Sequence, residues 1–102
     1  MDEEKIGKMQ INEADNIIYI GSKPLVNYIR GIMMQFNKKN ASKVIIKSRG
    51  KFISKAVDVA EVAKRALEKN GIKMKDIKIS SELFEKNGKT INISAMEIVL
   101  AI

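Results

Sequence analysis

Between residues 21 and 55 the chain carries Lys23, Arg30, Lys38, Lys39, Lys43, Lys47, Arg49, Lys51 and Lys55, and not one Asp or Glu. A surface that needs only solubility intersperses both signs, so a single-sign stretch of this length repels itself unless something anionic binds there. The formal charge of the whole chain, +7, has the same sign. Two glycine-containing turns concentrate the chemistry: Gly21-Ser22-Lys23-Pro24 and Arg49-Gly50-Lys51. The planar guanidinium of Arg49 can fork two phosphate oxygens, whereas lysines act as point charges. If both turns leave the same edge of a sheet, backbone N–H groups at the following helix starts join Lys23, Arg49, Lys51 and Lys55 in one anion-binding ridge. The plainer alternative is a pair of polar turns in a basic protein.

Other chemistries are closed off by composition. The 102 residues include no Cys and no His, which removes thiolate and imidazole metal sites and every nucleophile–base pair built on them. A magnesium-dependent nuclease needs several convergent carboxylates. Asp58 and Glu61 are the nearest approach to such a pair, but Lys55, Lys64 and Arg65 surround them, and an ion pair of Glu61 with Arg65 on a helix surface is the expected use. We therefore expect no enzyme, no cofactor, no metal and no small-molecule substrate. The apolar runs, such as 17–20 and 98–102, are too short to span a bilayer, and the acidic start Met1-Asp2-Glu3-Glu4 does not read as a leader, so a soluble cytoplasmic protein without membrane partners is expected. Met33, Met34 and Met96 are read as core filler, as are Tyr19, Tyr28 and Phe36. Phe52 lies beside the basic turn and is divided between core packing and stacking on a base.

The elements that must position these residues follow from periodicity. Residues 1–14 read as a flexible acidic lead-in, and 15–102 as a single domain. Asn16-Ile17-Ile18-Tyr19-Ile20 is β-branched and aromatic and stops at Gly21, the pattern of a buried strand. Pro24 suits the first turn of a helix whose apolar stripe is Leu25, Tyr28, Ile29, Ile32 and Phe36, widened by Val26, Met33 and Met34, and stopped by residues 37–40. A second strand, 43–49, ends at Gly50. A second helix, 53 to about 69, carries Ile53, Ala56, Val57, Ala60, Ala63 and Leu67 and closes at Asn70-Gly71. Strands over 75–84 and 90–102 flank Asn87-Gly88, a strong hairpin signal because both central residues of a type I′ turn need positive φ. In the last strand Ile91 and Ile93 alternate out of phase with Met96, Ile98, Leu100 and Ile102, so a bulge near Ser94-Ala95 is expected. The order β-α-β-α-β-β predicts an α+β two-layer sandwich with a long terminal hairpin arm, whose tip, 82–92, projects from the body.

The stretches from Asn16 to Tyr28 and from Ile45 to Asp58, NIIYIGSKPLVNY and IIKSRGKFISKAVD, resemble the two signature stretches of the Alba family, and the likeness runs from Asn16 to Ile102. The resemblance implies an archaeal chromatin protein: a homodimer whose body lies on double-stranded DNA and condenses it on the chromosome, with RNA as a further ligand. It implies nucleic-acid contacts at Lys23 and Asn27, at Arg49, Gly50, Lys51 and Lys55, and along the arm at Lys86, Asn87 and Lys89. Relatives often carry two lysines in the first turn, the first of them acetylated; Ser22 stands at that position, leaving Lys23 as the candidate for modification. Leu67 stands where many relatives place an aromatic used in dimer-to-dimer contact. The arm is weakly charged, since Glu82 and Glu85 offset Lys86 and Lys89. The same element order also resembles the C-terminal domain of a bacterial translation initiation factor, which keeps a ribosome-associated or protein-interaction module as an alternative. A KH-type RNA module is disfavoured because its GXXG clamp is missing.

Overall fold

The structure is a computed structural model that describes residues 16–102; the predicted acidic lead-in, 1–14, lies outside the described residues. Four strands and two helices follow in the expected order: β1 (Ile17–Tyr19), α1 (Leu25–Asn37), β2 (Lys43–Arg49), α2 (Ile53–Leu67), β3 (Lys73–Lys86) and β4 (Lys89–Ala101). The sheet order is β1-β2-β4-β3, with β1 parallel to β2 and the other neighbours antiparallel. Both helices pack over one face of the sheet, giving the α+β two-layer arrangement.

The core lies between the layers. Val44, Ile46, Ile98 and Leu100 from the sheet, Ile32 from α1, and Ala56, Val59, Ala60, Ala63 and Leu67 from α2 are buried almost completely. The alanines of α2 let that helix approach the sheet closely, so the fifteen-residue helix is held by packing along one face rather than by caps. Pro24 occupies the N-cap of α1, one position earlier than a first-turn proline. Beyond α2 a 3₁₀ turn, Glu68–Asn70, closes on Gly71 at φ 83°, the left-handed cap that glycine tolerates.

Several side chains depart from their expected places. Met34 and Val57, placed on buried faces by periodicity, are half-exposed, and Tyr19 lies on the helix-free face of the sheet, 39% exposed. Gln35 is buried instead, with no hydrogen-bond partner for Oε1 among the described residues. Leu67 is a core residue, 1% exposed, so it presents no surface at which dimers could meet.

The expected bulge near Ser94-Ala95 is absent: pairing runs unbroken through Ser80↔Ala95 and Ser81↔Ser94. The irregularity lies between Met74 and Asp76 on β3, where Lys75 is the extra residue. It lets Met74 and Ile77, which differ in parity, both face the helix side. In β4 the phase change has another cause. Met96, Ile98 and Leu100 face the helices, whereas Ile91, Ile93 and Ala95 lie on the opposite face as the strand runs out into the arm. The backbone does not slip; the apolar face changes sides where helix cover ends.

The hairpin determines the shape of the molecule. Fourteen residues of β3 at about 3.3 Å each span roughly 46 Å, close to the longest axis of 49 Å. Its turn is the predicted one, Asn87 at φ 53° and Gly88 at φ 76°.

Candidate nucleic-acid interface

Because β1 and β2 are parallel, the turns that follow them emerge side by side at one end of the sheet. A single lysine joins them. Lys55, on the first turn of α2, donates from Nζ to the carbonyl oxygen of Gly21 at 2.7 Å and to that of Lys23 at 2.5 Å. Its ammonium also lies 5.5 Å from the centre of the Tyr28 ring and 5.9 Å from that of Phe52. The Tyr28 hydroxyl completes the arrangement by accepting the backbone N–H of Gly21 at 2.9 Å and of Lys23 at 3.1 Å. The first turn is thus held from both sides, its carbonyls by Lys55 and its amides by Tyr28.

The Gly21 and Lys23 amides, in the turn before α1, are already bonded within the protein and contribute no free N–H groups to the ridge. Lys23 and Asn27 are exposed on either side of Pro24. Lys51 is exposed on the 3₁₀ turn Gly50–Phe52, its Nζ 5.4 Å from the centre of the Phe52 ring. Gly50 adopts φ 51°, a left-handed conformation that turns β2 into α2 and leaves room above Ile93. Phe52 is half-buried against the core and flanked by Lys51 and Lys55, so its packing role and its place beside the cations coexist.

Arg49 belongs to a different environment. Its Nε lies 3.0 Å from Glu82 Oε1 on β3, and its guanidinium carbon lies 5.2 Å from the centre of the Phe84 ring. Lys47, two residues back on the same face, is 3.7 Å from Glu97 Oε2 and 5.9 Å from the centre of the Tyr19 ring. Both pairs line an open groove of about 710 Å³, with Ile93 and Ala95 among its apolar walls. The groove is thus lined by three cations, Lys47, Arg49 and Lys51, and two anions, Glu82 and Glu97; Lys51, and Lys23 on the ridge beside it, lie outside ion-pairing distance of a carboxylate among the described residues.

The remaining predicted residues, Lys86, Asn87 and Lys89, sit at the far end of the hairpin, separate from the ridge. Lys86 and Lys89 pair directly across the turn, placing two like charges opposite each other. Glu61 is bound to Lys64 and Arg65 on the surface of α2, the structural use expected of it. Reading the sequence missed Tyr28 as the holder of the first turn and Glu82 with Phe84 as the partners of Arg49. No local signal marks Glu82 and Phe84, which are 33 and 35 residues from Arg49 in the chain, whereas Tyr28 is only five and seven residues from the amides it holds and reads as core.

Several known proteins resemble this chain in sequence and fold. A family model described as Alba matches residues 16–81. Over 88 residues the chain is 46% identical to the DNA/RNA-binding protein Alba of Methanococcus maripaludis, covering 84% of this chain and 97% of that protein. It is 44% identical over 88 residues to DNA/RNA-binding protein Alba 1 of Archaeoglobus fulgidus, covering 86% and 97%. Among solved structures, Alba from Thermoplasma volcanium superposes with a TM-score of 0.77 at 42% identity, covering 85% of this chain and all of that one. ALBA1 from Trypanosoma brucei, at 19% identity and a TM-score of 0.59, covers 84% of this chain and 68% of that one and shares the fold.

Proposed function

The chain belongs to the Alba family, and from that premise we propose that it binds double-stranded DNA largely without sequence specificity, as a dimeric architectural protein of the chromosome. The observation that carries the reading is the Lys55 clamp. By fixing the two turns side by side it makes Lys23 and Lys51 neighbours on one rigid ridge, and phosphates are bound best by cations already held in place. Lys86 and Lys89 at the end of the arm extend the footprint to a neighbouring groove of the duplex. Lys23, Asn27, Gly50 and Lys51 contact the sugar-phosphate backbone, with Lys55 chiefly holding the turns and Arg49 restrained by Glu82. None of these groups reads a sequence by itself, which accounts for binding without base preference.

Dimerisation is supported by an apolar strip that no helix covers. Ile77, Ile79 and Leu83 of the edge strand β3 are 52%, 77% and 69% exposed on its helix-side face. A second copy burying this strip would remove an aggregation-prone surface and carry two arms and two ridges on one body.

RNA is the second reading, favoured by the names of the archaeal relatives, which give both nucleic acids. The deciding experiment titrates a fluorescent 30-mer duplex, as DNA and separately as RNA, across a salt series. Four cations per subunit at about −0.9 each predict a slope of log affinity on log salt of about −3.6 per subunit for DNA. A Lys23→Glu/Arg49→Glu variant should bind far more weakly, and the ratio of the two affinities assigns the ligand. Absence of wild-type binding to either duplex at low salt would sink the proposal.

A further inference from the structure

We propose that Glu82 is an internal counterion that competes with phosphate for Arg49 and so limits how tightly this protein holds nucleic acid; the inference rests on the reading of the ridge as a nucleic-acid interface. Arg49 ends β2 and pairs with Ala95 of β4, which in turn pairs with Ser80 of β3. Glu82 is two residues closer to the hairpin tip than Ser80 and lies on the same face, as does Phe84 beyond it. The guanidinium thus reaches out along the base of the arm, placed against the Phe84 ring with its Nε 3.0 Å from the Glu82 carboxylate.

A phosphate that approaches this guanidinium meets a carboxylate already in its place. While Glu82 stays there, the pair has no net charge, so a phosphate beside it is not neutralised and retains its condensed counterion. If Glu82 swings away, the ion pair must be broken first. Side-chain exposures of 52% for Arg49 and 40% for Glu82 put this pair in the partly solvated class, where such exchange is inexpensive but measurable. Lys47 and Glu97 repeat the arrangement at 3.7 Å on the same face. The longer distance makes Glu97 the weaker competitor, and Glu82 is the residue on which the effect turns.

Anisotropy titrations of the 30-mer duplex across salt, with wild type, Glu82→Gln, Arg49→Met and the double variant, test this directly. Glu85→Gln is the control for simply removing a negative charge from the arm, because no cation lies within ion-pairing distance of Glu85 among the described residues. Glu82→Gln should tighten binding at low salt by roughly threefold to fivefold, the scale of one exposed ion pair. It should also steepen the salt slope by up to about 0.9 per subunit as one more phosphate is neutralised. The gain should exceed that of Glu85→Gln and fall to that of Glu85→Gln in the Arg49→Met background. A Glu82→Gln variant that binds more weakly, that gains no more than Glu85→Gln, or that keeps its gain without Arg49 overturns the inference while leaving wild-type binding intact. Failure of wild type to bind at any salt overturns the interface itself, and the inference with it.

Discussion

Replacing Lys55 by Met separates holding the ridge from being part of it. The methionine keeps most of the aliphatic stem but loses the ammonium, and with it the hydrogen bonds to the carbonyls of Gly21 and Lys23. A hydrogen bond from a charged donor contributes about 1.5–3 kcal/mol in protected settings, and less where water competes. Lys55 is half-buried and the Lys23 carbonyl is exposed, so the two bonds together stabilise the fold by about 2 kcal/mol. Loss of the contacts over Tyr28 and Phe52 adds roughly 0.5 kcal/mol. Urea unfolding followed by far-ultraviolet circular dichroism should therefore show Lys55→Met less stable by about 2–3 kcal/mol, with the slope m unchanged. Lys23→Met is the counterpart. Its exposed side chain should affect stability by less than about 0.5 kcal/mol while flattening the salt slope of binding by about 0.9 per subunit. If Lys55→Met unfolds within about 0.5 kcal/mol of wild type, the two turns are not held by this side chain, and the account of the ridge as a pre-fixed surface is wrong.

Two further outcomes follow from the packing. Gln35→Leu replaces a buried amide whose Oε1 has no partner among the described residues, and should raise stability by about 1 kcal/mol in the same urea titration; destabilisation would mean that the amide has a partner the geometry does not reveal. Ile79→Lys places a charge on the most exposed residue of the β3 strip and should convert a dimer to a folded monomer in sedimentation velocity, with circular dichroism unchanged; a dimer that persists would locate the subunit contact elsewhere.

The fold was legible because its signals are local. Period-2 and period-3.6 patterns, Gly21, Gly50 and Gly71 after their elements, and the Asn87-Gly88 turn fix element order within two or three residues of the observed bounds. The errors arose where periodicity alone cannot know what lies above a face. Tyr19 is in phase with a strand but on the uncovered side. Met34 and Val57 lie at the margins of their helical stripes, where a fraction of a turn decides burial, and Gln35 took an interior position that polarity argues against. In β4 the shift of apolar residues from one face to the other looked like a bulge because the sequence records the alternation but not the point at which helix cover ends.

The candidate site divides along the same line. Lys23, Arg49 and Lys51 are visible in sequence as cations in two turns, and the parallel pairing of β1 with β2 puts those turns together as expected. What sequence could not show is which charges are spent internally. The stretch 21–55 is free of acids along the chain, yet in space Glu82 and Glu97 reach Arg49 and Lys47 from the two strands of the hairpin, and Lys55 is committed to carbonyl oxygens. The field that attracts a polyanion is consequently sharper than the composition suggests. Of the cations in the two turns and at the tip of the arm, those outside ion-pairing distance of a carboxylate among the described residues are Lys23 and Lys51 on the body and Lys86 and Lys89 on the arm, while Arg49 and Lys47 between them are paired. On the proposed reading as a nucleic-acid interface, an uninterrupted basic face would hold any phosphate equally well, whereas two charged zones separated along the hairpin would favour a ligand whose phosphates recur at matching separations. A regular duplex meets that condition over its whole length, and a short flexible strand does so only by losing conformational freedom.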